Sequence, residues 1–174
     1  MKCFFTLFFA FTLLSCTPKY TPAESVPSGR NNTSRGATEA TTDAGVSGNM
    51  EESILRYIND YRRSRGLSNL QMNDAASTQA YQHSKNMATG KTAFGHDGFD
   101  QRVQNIKRAM GSGFLSGWAE NVAYGQLSAQ AVVKGWLNSS GHKRNIEGKY
   151  NLTGIGTYKS RDGDIYFTQI FLQK

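Results

Sequence analysis

Thiols are almost missing from this chain. Of its 174 residues only Cys3 and Cys16 are cysteine. Residues 17–174 therefore hold no disulfide and no cysteine nucleophile. A folded domain there must be stabilised by its core, and Tyr57, Tyr61, Trp118, Trp136, Phe167 and Phe171 supply aromatic mass for one. Long apolar runs are scarce too. The run at residues 4–14 is too short to span a bilayer as a mature helix. Acidic charge is in deficit, with 13 Asp and Glu against 20 Lys and Arg, a formal net charge of +7. Arg62, Arg63 and Arg65 cluster at the end of the first expected helix, and Lys107 with Arg108 lies on another. Such a face suits anionic headgroups, glycans or nucleic acid, or is simply a solvated surface. No nucleic-acid motif accompanies it, so no nucleic-acid partner is expected.

The ends of the chain have a different character. Lys2 followed by the apolar run reads as an export signal covering residues 1–15. The run closes on Leu13-Leu14-Ser15-Cys16, an arrangement that resembles a bacterial lipobox, with Cys16 as the lipid attachment point after cleavage. An ordinary secretory signal cut elsewhere is the alternative. Residues 16–49 read as the lipidated N-terminus and a flexible tether, because Thr, Ser, Gly, Pro, Ala and Asn dominate. That composition buries too little surface to offset its ordering entropy. The tether would reach about 100 Å extended and roughly 30 Å as a coil. Thr17 is not the aspartate that retains some lipoproteins at an inner membrane. The expected address is the cell envelope, outside the cytoplasm, at an outer membrane or cell surface.

About 125 residues remain, 50–174, the size of one domain. Asn49 with Glu52 forms a capping-box signal before Ile54, Leu55, Ile58 and Tyr61, which recur at helical spacing up to Gly66. Asn73 caps a second helix that ends at Gly90. Residues 99–110 form a third, weaker one, closed by Gly111-Ser112-Gly113. Residues 118–124 read as a strand, and Ser128 caps a fourth helix. A Ser139-Ser140-Gly141 turn leads to a short helical turn at 142–146. Strands at 153–158 and 165–172 flank Asp162-Gly163, a tight-hairpin signal. This order predicts an α+β fold, a three-layer α-β-α arrangement around a small, mainly antiparallel sheet.

The motifs with chemistry are Phe94-Gly95-His96, Ala119-Glu120-Asn121-Val122-Ala123 and Ser140-Gly141-His142-Lys143-Arg144-Asn145-Ile146. If His96, Glu120 and His142 converge, they form a polar cleft with acid/base or metal-type donors. Two neutral imidazoles and a carboxylate can hold zinc and leave one position for water. The tight local spacing of zinc motifs and of His-Glu-x-x-His is missing. A Ser139 or Ser140 nucleophile beside His142 is a weaker reading, since triads are defined by geometry. The bland alternative is a structural network in which Glu120 and Asn121 bond backbone groups. His83 reads as a helix-surface or half-buried residue without a role. Trp118, Trp136, Tyr124 and Phe167 read as core, and Asn59 with Arg62 as ties from the first helix to a neighbour.

These pieces, together with Trp136-Leu137-Asn138-Ser139, Gly154-Ile155-Gly156 and residues 166–171, resemble the CAP superfamily of cysteine-rich secretory proteins, antigen 5 and pathogenesis-related proteins. The likeness is to the bacterial secreted branch and spans residues 50–174. It implies an α-β-α sandwich with a central cleft. In eukaryotic members that cleft holds two histidines and two acidic residues, and some bind zinc. His96, Glu120 and His142 match three of the four positions; Ser139 stands at the fourth. The resemblance therefore implies weak Zn2+ binding at most, with Asn121 and Ser139 supporting the cleft and Asp97 or Asp100 as spare carboxylates. It leaves three functions open: a binding module for a small-molecule, lipid or protein ligand, a metal-assisted hydrolase, and a structural surface protein. A monomer held to a membrane by lipid at Cys16, without a complete catalytic constellation, is the expectation.

Overall fold

Among the described residues, apolar patterning sorts five helices to two sides of one sheet. The computed structural model describes residues 50–111 and 115–174. The expected signal, Cys16, the tether, the Asn49 cap and Ser112-Gly113 lie outside the described residues. The elements run α1 (Met50–Ser64), β1 (Gln71–Met72), α2 (Asp74–Ala88), α3 (Phe99–Ala109), β2 (Gly117–Gly125), α4 (Ala129–Asn138), α5 (Ser140–Ile146), β3 (Leu152–Lys159) and β4 (Ile165–Gln173). The sheet order is β1-β3-β4-β2, with β1 parallel to β3 and the other pairs antiparallel. The fold is α+β, as expected.

Strand periodicity builds the two cores. Phe167 and Phe171 of β4 pack with Ile54 and Ile58 of α1 and Val132, Val133 and Trp136 of α4. Ile170 and Leu172 face the other way, onto Ala76 and Ala80 of α2 and Ile106 of α3. The described members of both cores are drawn from helices and strands along the whole of residues 50–174, a length typical of one domain.

Two glycines set the depth of α2. A Cβ on Gly154 would fall within the backbone of Ala76 and Ser77, and one on Gly156 within that of Ala80 and Tyr81. With no side chain there, α2 lies directly on β3. Ser84 then reaches between strands, its hydroxyl 2.8 Å from both Gly156 O and Thr168 Oγ1. Asn73 caps α2 by accepting from Ala76 N, and Ser128 caps α4 through Ala131 N, as their sequence positions predict.

Several expectations need correction. Arg62 is 2% exposed and is not part of a basic surface cluster. Its guanidinium donates to the carbonyls of Ser68, Ile146, Gly148 and Tyr150. A planar five-donor group suits four converging acceptors. With Asn59, which bonds Leu70 at both N and O, it ties α1 to the turns after it and to the segment after α5. The Asp-Gly signal is met: Gly163, at φ 92°, donates its N–H to Ser160 O, and Ser160 N donates to Asp164 O, closing a tight hairpin. Trp136 and Phe167 are core, but Trp118 and Tyr124 are exposed. The two-residue strand β1 carries too little pattern to be read from sequence.

Candidate functional site

The site is built across an edge strand. Among the described residues β2 pairs with β4 on one side only. On its other side helix side chains cap its carbonyls: Trp136 Nε1 donates to Val122 O at 3.3 Å and Asn145 Nδ2 to Glu120 O at 3.2 Å. Consecutive strand residues point to opposite faces. Glu120 turns toward α3 and Asn121 toward α5.

Glu120 meets Arg102 of α3. Arg102 Nε donates to Oε2 at 2.9 Å and its terminal nitrogen to Oε1 at 2.7 Å, a bidentate pair. The Glu120 side chain is 1% exposed, so this pair is buried. Arg102 also donates to the carbonyl of Asp97, which holds the loop before α3. His96 sits on that loop with Nδ1 2.9 Å from Glu120 Oε1 and a side chain 53% exposed. An ionised carboxylate only accepts, so the neutral imidazole carries its proton on Nδ1 and presents the Nε2 lone pair outward.

His83 belongs to this assembly and is not a surface residue. It is 2% exposed, with Nε2 2.8 Å from Gly95 O. It anchors the loop one residue before His96. Burial lowers its pKa below the ordinary histidine value, with contributions from Arg102 and His96 against those of Gly95 and Glu120. Between α2 and α3, a polar cavity of about 260 Å³ is lined by Gln79, His83, Asn86, Arg102 and Asn105 among others.

On the other face Asn121 donates to His142 O at 3.2 Å and accepts from Asn145 at 2.8 Å. This fixes α5 against β2. The pKa of His142 is lowered by burial first and then by the charge of His96. Ser139 supports α5 through its backbone, its carbonyl accepting from Lys143 N. Among the described residues no hydroxyl bond links Ser139 or Ser140 to His142. Asp97 and Asp100 are exposed, and among the described residues neither side-chain carboxylate bonds to the site; Asp97 joins it only through its backbone carbonyl.

These donors do not fit a zinc centre of two histidines and a carboxylate. Both Glu120 oxygens are engaged by a buried cation. A divalent ion would have to displace or face the Arg102 guanidinium. Among the described residues no group of three His, Cys, Asp or Glu side chains is assembled to hold a metal ion. What the arrangement offers is one half-exposed imidazole, His96, hydrogen-bonded to a carboxylate that Arg102 holds.

The sequence reading passes over Arg102, gives His83 no role, and quotes Asn145 only as part of the His142 motif. Arg102 had a readable signal: it stands four residues before Ile106, on the stripe that faces the core, where a charge requires a partner. Asn145 lies one helical turn after His142.

The cysteine-rich secretory protein (CAP) family model matches residues 55–171. The chain belongs to this family. The CAP domain is 32% identical over 130 residues to the Bacillus subtilis protein YkwD, covering 71% of this chain and 47% of that one. It is 28% identical over 127 residues to the Bacillus subtilis membrane protein YlbC, covering 71% and 34%. The chain thus spans less than half the length of these relatives. An extracellular SCP-domain protein of Bacillus anthracis superposes with a TM-score of 0.60 at 27% identity, over 71% of this chain and 40% of that one. An outer surface protein of Borrelia burgdorferi shares the fold, with a TM-score of 0.61 at 20% identity over 71% and 91%. No helix among the described residues is long and apolar enough to cross a membrane.

Proposed function

We propose that this chain is a lipid-anchored, extracytoplasmic CAP-domain protein of the bacterial secreted type. Its domain binds a ligand through the polar cleft formed by His96, Glu120 and His142. The observation that carries this reading is the commitment of Glu120 to Arg102. A carboxylate held this way orients His96 instead of ligating a metal. The cleft then offers an imidazole lone pair to a hydroxyl or amide donor on the ligand. The Leu13-Leu14-Ser15-Cys16 segment supports the anchor, and the relatives described as extracellular or outer-surface proteins support the address.

Calorimetric titration of zinc into residues 50–174 separates binding cleft from metal-assisted hydrolase. We expect no saturable binding in the micromolar range. Any millimolar binding should disappear in His96→Ala and His142→Ala and persist in Glu120→Gln. Micromolar binding that all three substitutions abolish would establish the metal centre instead. For the anchor, metabolic labelling with palmitate should mark the wild type and spare Cys16→Ser. Equal labelling of both removes the anchor.

A further inference from the structure

Five aromatic rings cross one end of the sheet. Tyr81 of α2 meets Tyr158 of β3, with centroids 5.8 Å apart. Tyr158 is the cross-strand partner of Tyr166, and Tyr166 of Tyr124. Tyr166 and Tyr124 stack at 5.3 Å, and Phe94 closes the row 4.9 Å from Tyr124. The rings lie on the α2 side, beyond the apolar core. Tyr81, Phe94 and Tyr124 are 45%, 48% and 53% exposed, an unusual exposure for adjacent large apolar side chains.

Basic groups flank the row. Lys85 Nζ lies 5.8 Å from the Tyr158 ring centroid. A cavity of about 380 Å³ opens beside Tyr158, lined by Thr89, Lys159, Ser160, Arg161 and the acidic Asp162. Lys159 and Arg161 are exposed. The first turn of α1 lies at this same end: Glu51 accepts from the backbone N and hydroxyl of Thr157, the neighbour of Tyr158.

We infer that this end of the domain docks on the anionic headgroup surface of the membrane to which the chain is anchored. This rests on the anchor reading for its biological setting. Tyrosines are suited to that boundary, with apolar bodies and wet hydroxyl tips. Lysine and arginine near an anionic surface add attraction that salt screens. The cavity between Lys159 and Arg161 takes a phosphate headgroup. A tethered domain meets its own membrane at high effective concentration, so a weak face suffices. At the opposite end of the same sheet face, Trp118 has Lys107 4.1 Å over its ring. It provides an internal comparison.

The test is vesicle co-sedimentation of residues 50–174, which lack both Cys16 and the apolar run. Binding to vesicles of phosphatidylcholine with phosphatidylglycerol should exceed binding to phosphatidylcholine alone and weaken with salt. Lys159→Glu with Arg161→Glu should reduce it about tenfold. Tyr81→Ser with Phe94→Ser and Tyr124→Ser should reduce it similarly, with circular dichroism unchanged. Spin-labelled lipid should broaden NMR signals of Tyr124 and Tyr158 and spare those of Trp118. Equal binding to both vesicle types, indifference to both sets of substitutions, or broadening centred on Trp118 overturns the inference. Palmitate labelling without vesicle binding rejects the docking face and keeps the anchor. Vesicle binding without labelling rejects the anchor and keeps the face.

Discussion

Glu120 and Arg102 form one unit, and each is costly without the other. Arg102→Ala would leave a carboxylate buried and unpaired, a loss of about 3–5 kcal/mol in unfolding free energy, measurable by denaturant titration. Glu120→Gln keeps the shape but releases the His96 ring, so the His96 tautomer should become mixed. Arg62 makes a different argument from the same residue type. Its four carbonyl partners cannot all be reached by an ammonium group, so Arg62→Lys should cost about 2 kcal/mol or more in the same measurement. Among Arg62, Arg63 and Arg65 the sequence does not distinguish a buried tie from surface charges. Only the Ile54–Ile58–Arg62 spacing, on the stripe facing the core, separates the first of them.

At the scale of elements, the contact between α2 and β3 depends on missing side chains. Gly154→Ala and Gly156→Ala each push a methyl group into the α2 backbone and should cost at least about 1–3 kcal/mol, read as a lower urea midpoint. The same helix carries His83, which with His142 makes stability depend on pH. Both have folded-state pKa values lowered mainly by burial. Their stabilising effect is complete above the unfolded value, about 6.5, and is lost as pH falls through the lower folded values. The urea midpoint should therefore drop on acidification below that point. His83→Gln, which retains an N–H donor toward Gly95, should flatten the drop. Helices and long strands were legible because periodicity and caps agree, as at Asn73 and Ser128. The strand Gln71–Met72 was not, since its place comes from pairing with Leu152 and Thr153 far along the chain.

For the whole molecule, the α-β-α layering could be read from the order of elements and from the family resemblance. Which residues would meet across the edge strand could not. His96 lies on the loop before α3 and the His142 backbone is bonded from Asn121 on the other face of β2, and no local pattern gives where β2 stands between them. The partner of Glu120 was hidden for the same reason: Arg102 is 18 residues before it in sequence and on another element. A family pattern names three of the cleft residues without saying that a buried arginine neutralises the carboxylate. With that pairing, both Glu120 oxygens are engaged by Arg102, and Oε1 also bonds His96 Nδ1.

The central claim is that Glu120, fixed by Arg102, orients His96 with its Nε2 lone pair toward the cleft. Long-range proton–nitrogen NMR on the histidine rings of residues 50–174, at a pH where His96 is neutral, tests it directly. The account predicts a single tautomer at His96, protonated on Nδ1, which becomes mixed in Glu120→Gln. A His96 ring protonated on Nε2, or a tautomer mixture in the wild type unaffected by Glu120→Gln, would contradict it.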